Sequence, residues 1–461
     1  MPYLTAEIMK TLKLIGILAL LVPAVLLLAF GPDKHTRQPA DFTVVEYWEK
    51  WTGSEGDGIK ETVDAFNATE GKRLKIYVNL LSTSGITQKM LVSTAGGVPP
   101  DIAGLWDMNL AQLAALGALE PLDDLAAANG IKAEQYKKVF WDECHYKGKL
   151  YALISTPYCY ALHYNKKIFR ENADKLRAAG CDPTRAPQTI EELDRYAKAL
   201  DDIAPDGTIH RTGFLPFEPG WDIAVYPDLF GGTTWDPETR KFTYTNDATV
   251  RAFEWMQSYS KRLGKGAVTD FRSGAGNYDS PQNPFMAGTT AMVSQGTFFA
   301  NIIRKQRPDL ANDWAAAPLP TAIPGLKGVA QATSDVLCIP AGARHKKEAF
   351  AFMTWLQQRE NMERLVMSHC KMSPLVDVSD NYLNHNPNPY IKVFEDLASG
   401  PGARGTPSVE VLPDVTVEMT TFVADVAAMR VEPRAGLEKV QQRMQAKYDN
   451  FVEKLKLWEN N

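Results

Sequence analysis

Residues 41–106, DFTVVEYWEKWTGSEGDGIKETVDAFNATEGKRLKIYVNLLSTSGITQKMLVSTAGGVPPDIAGLW, decide the fold class. In DFTVVEYW, Phe42, Val44, Glu46 and Trp48 fall on one face and Val45 and Tyr47 on the other, a mostly buried strand. Ile59, Val63 and Phe66 then form one helical stripe that ends in NATEGKR. RLKIYVNL alternates strictly, with Leu74, Ile76, Val78 and Leu80 against Arg73, Lys75, Tyr77 and Asn79, which predicts a second strand. Ile86 to Thr94 reads as a helix broken by GGVPP, and DIAGLW is short and apolar like a buried parallel strand. This β-α-β-α-β order implies a parallel sheet with right-handed crossovers, whose ligands sit beyond the carboxyl ends of the strands.

The same alternation continues outward from this stretch. Thr189 and Glu192 make a capping box after Pro187, with Ile190, Leu193 and Leu200 on the buried stripe of a helix. Val250, Phe253, Met256, Tyr259 and Leu263 predict a helix from Asp247 to Leu263, capped by Gly264, and a further helix is expected over Lys347–Leu365. The class is α/β, and no repeat of 20 to 50 residues points to a solenoid or propeller.

Toward the N-terminus, Lys10 and Lys13 precede the uncharged run LIGILALLVPAVLLLAF, Leu14 to Phe30. Residues 1–31 read as an export signal or a retained membrane anchor, a choice the sequence leaves open, because the run is at the short limit for a membrane span. Residues 32–40 are a polar linker. The 461 residues carry 50 Lys+Arg against 55 Asp+Glu, so the chain lacks the basic surplus that nucleic-acid binding needs. Cys144, Cys159, Cys181, Cys338 and Cys370 have no metal-type spacing and read as small buried hydrophobes. The histidines are scattered, and no GxSxG, HExxH, Walker or GxGxxG motif occurs, so neither a catalytic site, a metal nor a cofactor is expected. What recurs is aromatic residues where strands end: Trp48, Trp51, Trp106, Tyr158, Tyr160, Trp221 and Trp235. A pyranose packs its CH face on such rings while neighbouring polar groups, Asp107 and Gln295 among them, bond its hydroxyls.

The ordered landmarks VVEYWEKW, VDAFNATEG, LVSTAGGVPPDIAGLWDMNLAQLAALGALEPLDD, YKGKLYALISTPYCYALHYNKKIF, PQTIEELDRYAKAL, FMAGTTAMVSQGTFFANI and CIPAGARHKKEAFAFMTWL together resemble the bacterial extracellular solute-binding protein family 1, the sugar-binding components of ABC importers. The resemblance covers nearly all of Asp41 to Asn461. It implies a periplasmic-binding-protein type II-like fold of two α/β lobes, crossed three times near Ser155–Cys159, Met292–Gln295 and Lys371–Val376 and with a separate sheet in each lobe. Lobe I would combine residues 41–155 with 296–370, and lobe II residues 156–295 with 371–461. The implied ligand contacts are Trp51, Thr52, Ser84, Asp107, Tyr158, Trp221, Trp235, Gln295, Thr297 and Ser334. Thr297 stands where the family carries Trp, so stacking there falls to Phe298 or another ring. Asp107 would accept sugar hydroxyls, and Trp221 and Trp235 would stack on ring faces.

The implied function is capture of a sugar or oligosaccharide by a monomer that delivers it to ABC transporter permease subunits. The implied place is periplasmic or extracytoplasmic, tied to the inner membrane if residues 14–30 are retained. Other readings stay open. A glycerol phosphate or polyamine binder would need cleft charges, with Lys50 and Arg404 the basic candidates. A sensory ligand-binding module fits the same fold. An anchored enzyme would need a carboxylate pair, for which Asp107 with Glu218 is the nominee.

Overall fold

The computed structural model of the protein describes residues 41–220 and 223–459. The Leu14–Phe30 run, the linker and Trp221 lie outside the described residues. Among the described residues, no helix is long and apolar enough to cross a membrane.

The opening stretch folds as its hydrophobic pattern dictates. Strand β1 (Thr43–Glu49) pairs in parallel with β2 (Ile76–Ser82) and with β3 (Ile102–Trp106), and helix α1 (Gly53–Ala68) buries Ile59, Val63 and Phe66. β2 starts later than its alternation suggests. Residues Glu70–Leu74 close a short helix, and Lys75, with φ of 58°, turns the chain before Ile76. The close packing of α1 requires a glycine at position 58. A Cβ there would stand 2.4 Å from Ser368 Oγ and 2.6 Å from His369 Nε2, below any van der Waals separation.

Strand β4 (Ala152–Asn165) joins the two halves of the molecule. Its first half pairs antiparallel with β8 (Ala330–Cys338), and its second half with β6 (Thr290–Gly296) and β7 (Trp314–Ala317). β6 also pairs in parallel with β5 (Ile209–Phe214). The resulting order, β2-β1-β3-β8-β4-β6-β5, lies in one hydrogen-bonded ten-stranded sheet, completed by β7 and two dipeptide strands. The expectation of a separate sheet in each lobe is therefore corrected. At β4 and β6 the chain crosses between lobes as strand rather than loop, and this keeps the buried backbone groups at those crossings paired.

The division into lobes appears instead in the apolar packing. One core gathers Val45, Leu105, Phe140, Val336 and Phe352, and the other Phe214, Phe253, Tyr226, Phe422 and Leu437. β4 changes core between Cys159 and Leu162, and β6 between Met292 and Val293. The crossing expected at 371–376 falls instead between Ala398 and Val409, because Met372, Tyr382, Phe394 and Leu397 pack in the first core. Residues 371–398 thus leave the lobe II of the sequence reading, and Leu319 and Val329 join the second core although 296–370 was assigned to lobe I.

Helix α3 (Asp247–Leu263) has the bounds its periodicity gives, and in helix α2 (Ile190–Leu200) the Thr189 hydroxyl accepts the Glu192 amide at 3.1 Å. The helix expected over Lys347–Leu365 is two, Lys346–Leu356 and Arg359–Ser368, separated where Gln358 is extended. All five cysteines are buried and free.

Candidate functional site

A cavity of about 480 Å³ opens between the two cores, at the carboxyl end of β3. The first lobe contributes Trp106, Asp107 and Met108, and β4 contributes Tyr158 and Tyr160. From the second lobe come Trp235, Phe242, Tyr244 and Phe253. A strap, residues 403–411, passes over one side with Thr406 and Pro407, and helix α4 (Leu412–Ala427) closes another. Trp106 is 39% exposed although it is large and apolar, which marks it as a contact surface rather than core. Tyr158 meets Tyr160 and Phe298 edge to face at 5.9 and 5.4 Å, and Trp235 meets Phe242 and Tyr448 the same way at 4.9 and 5.1 Å. These contacts hold the rings in place.

Beneath Trp106 lies a buried charge cluster. Asp335 on β8 stands 3.1 Å from Lys50 Nζ and 3.2 Å from Lys371 Nζ, and accepts hydrogen bonds from Trp51 Nε1 at 3.0 Å and Thr156 Oγ1 at 2.6 Å. Burial alone would raise the Asp335 carboxyl, but the two ammonium groups outweigh it and hold it well below the usual carboxylate range. Lys371 also sits 5.1 Å from the Trp51 ring centroid and 5.7 Å from that of Tyr158, and Trp51 meets Trp106 edge to face at 6.4 Å. The cluster thereby orients the rings that line the cavity. Glu49 joins the cluster 3.5 Å from Lys50 Nζ, and Gly104 on β3 makes room for it, since a Cβ there would come 2.0 Å from Glu49 Oε2.

On the strap side, Asp107 and Glu143 have no cation in contact among the described residues. Asp107 Oδ2 accepts the hydroxyls of Thr333 and Thr406, each at 2.6 Å, and the Ser334 amide at 3.3 Å, while Oδ1 accepts the Met108 amide at 2.7 Å. Glu143 accepts the Ser334 hydroxyl at 3.0 Å and the Thr406 amide at 2.8 Å. Burial raises both carboxyls above their usual range, and the neighbouring Asp107 charge raises Glu143 further.

The residues expected from the sequence divide accordingly. Asp107, Tyr158 and Trp235 line the cavity. Trp51 and Ser334 stand behind it, holding Asp335 and the Asp107–Glu143 pair. Gln295 and Thr297 are buried in β6 and the turn after it, away from the cavity; Thr297 bonds the backbone of Cys159 rather than a ligand. Thr52 and Ser84 are exposed outside the cavity. Asp107 has its lone pairs occupied by internal donors, which leaves little capacity for the hydroxyl-accepting role assigned to it. Glu218 bonds Arg272 at 2.6 Å and is no partner of Asp107. Lys50 is locked in the Asp335 cluster. Arg404 donates to the backbone carbonyls of Pro401 and Ala403 and lines a more open depression of about 770 Å³, which has no aromatic wall comparable to that of the cleft. Sequence reasoning missed Glu143, Asp335, Lys371, Thr406 and Met419, each recruited from a distant segment. Among the described residues, no group of His, Cys, Asp and Glu could hold a metal ion.

Two lobes around an aromatic cleft define a solute-binding protein. The family model described as bacterial extracellular solute-binding protein matches residues 61–376, and the chain belongs to that family. The uncharacterized lipoprotein "in oleD 5'region" of Streptomyces antibioticus is 26% identical over 364 residues, 76% of this chain and 74% of its own. The sn-glycerol-3-phosphate-binding periplasmic protein UgpB of Pectobacterium atrosepticum is 24% identical over 269 residues, 55% of each chain. The solved structure of CpMnBP1 with mannobiose bound matches with a TM-score of 0.75 at 25% identity, covering 87% of this chain and 98% of that one.

Proposed function

We propose that the protein captures a neutral sugar or short oligosaccharide between its lobes on the outer side of the cytoplasmic membrane and presents it to an ABC permease. The observation that carries this reading is the cleft itself: flat rings from both lobes and the crossing strand, with no lysine or arginine among its described lining residues. Trp106, Tyr158 and Trp235 stack on sugar faces, and closure of the lobes excludes water from those contacts. The relationship to CpMnBP1 with mannobiose bound supports a saccharide. The UgpB relative favours a second reading, a phosphorylated polyol, but a phosphate would lack a cation to meet it in the described cleft. No bond is broken in this mechanism. Asp107 and Glu143 are taken up by Thr333, Ser334, Thr406 and Met108 rather than turned to a reacting centre.

A thermal-shift panel tests the reading. Neutral mono- and oligosaccharides, glycerol 3-phosphate and polyamines are compared; a ligand at 100 times its Kd adds about 2.7 kcal/mol of stability. A shift from a neutral saccharide supports the proposal. A shift from glycerol 3-phosphate alone replaces it with the second reading.

A further inference from the structure

Two walls of the cleft differ in chemistry. Strand β8 supplies the polar wall through the Gln331 carboxamide, whose oxygen is buried and has no partner among the described residues, while the Thr333 hydroxyl beside it is already given to Asp107. Helix α4 supplies the facing wall with Leu412, Val415, Thr416, Met419 and Thr420, the i, i+3, i+4, i+7, i+8 stripe of one helical face. Its hydroxyls do not make it polar. Thr416 Oγ1 donates to the Leu412 carbonyl at 3.1 Å and Thr420 Oγ1 to the Thr416 carbonyl at 2.8 Å, so neither keeps a donor for a ligand. Ile223 and Val409 add further aliphatic surface to the cavity lining.

Aromatic rings suit a pyranose, whose CH face lies flat on them. Branched aliphatic side chains do not, because they have no flat face and leave sugar hydroxyls without hydrogen-bond partners at the cost of their hydration. Resting on the sugar reading above, we propose that the ligand is an amphiphilic glycoside. Its sugar sits between Trp106, Tyr158 and the Gln331 carboxamide, and an aryl or branched-alkyl aglycone lies on the α4 stripe. Each aglycone methylene buried there strengthens binding about fourfold.

The test is calorimetric titration of the folded chain with matched methyl and phenyl glycosides of the common hexoses, together with the free hexoses, mannobiose and phenol. The expected result is that, for at least one sugar, the phenyl glycoside binds tenfold or more tighter than its methyl partner, with a more negative heat capacity of binding. Met419→Gln then removes that advantage, read as the ratio of phenyl to methyl glycoside affinity within the variant itself. Leu412→Asn is the second variant should Met419→Gln lose its melting transition. Equal affinity of methyl and phenyl glycosides overturns the amphiphile proposal and leaves the sugar reading standing, as does tightest binding by a free hexose or mannobiose. No binding by any sugar or glycoside overturns both. Phenol binding as tightly as its glycoside overturns both as well, since the sugar would then contribute nothing.

Discussion

Asp335 and the Asp107–Glu143 pair are buried carboxylates on opposite sides of one cleft wall, and β8 serves both: Asp335 itself bears one, while Ser334 bonds both members of the other. Their environments are opposite. Asp335 is fully buried between Lys50 and Lys371 and stays ionised. Asp107 and Glu143 face hydroxyls and amides, with burial favouring their neutral forms. The contrast separates two tasks. A charge cluster over-determines the geometry of Trp51 and Trp106, whereas the second site fastens the Thr406 strap through bonds that are each worth less.

The largest expected break in this comparison is Asp335→Ala. It leaves two buried ammonium groups with only the longer carboxylate contacts, to Glu49 at 3.5 Å and Glu55 at 3.6 Å, and should cost about 3 kcal/mol of stability, read from chemical denaturation. A cost below about 1 kcal/mol would show that the cluster is not holding the cleft. Next, Trp106→Ala should weaken ligand binding by about 2 kcal/mol while the half-exposed ring's loss leaves the melting temperature nearly unchanged. Thr406→Val removes a hydroxyl from Asp107 and should lower stability by about 1 kcal/mol, with a parallel loss of ligand affinity if the strap closes the cleft. The smallest effect is expected from Glu143→Gln. Because the folded state raises the Glu143 carboxyl, the linked stability is present in full below the ordinary carboxylate range and fades as pH rises through the folded value. The variant should therefore match the wild type near pH 4 and melt slightly above it at pH 8. A variant that melts progressively lower as pH rises would place an ionised Glu143 in the native state and erase the contrast with Asp335.

Hydrophobic pattern made β1, β3 and α3 legible in the sequence, β1 and α3 by the period of their buried residues and β3 as a short apolar run buried on both faces. The lobe crossings were not legible to the same degree. β4 is buried along nearly its whole length, so no change of pattern marks where Cys159 and Tyr160 switch cores. The third crossing was misplaced because Met372, Phe394 and Leu397 are as apolar as residues of either core. Of the site, the rings at strand ends could be read, Trp106 and Tyr158 among them. Asp335 with Lys50 and Lys371, and Thr406 with Asp107, could not, since their pairing spans long sequence separations and no local motif encodes it. The α4 stripe was present in LPDVTVEMTT but is indistinguishable in sequence from a helix face that meets only protein.

The most direct test is calorimetric titration of neutral mono- and oligosaccharides into the wild-type chain and into Trp106→Ala. The account predicts saturable one-to-one binding of at least one neutral saccharide or glycoside by the wild type, weakened tenfold or more in the variant, with no release of reducing ends on prolonged incubation. Binding of anions alone, or saccharide affinity indifferent to loss of Trp106, would contradict it.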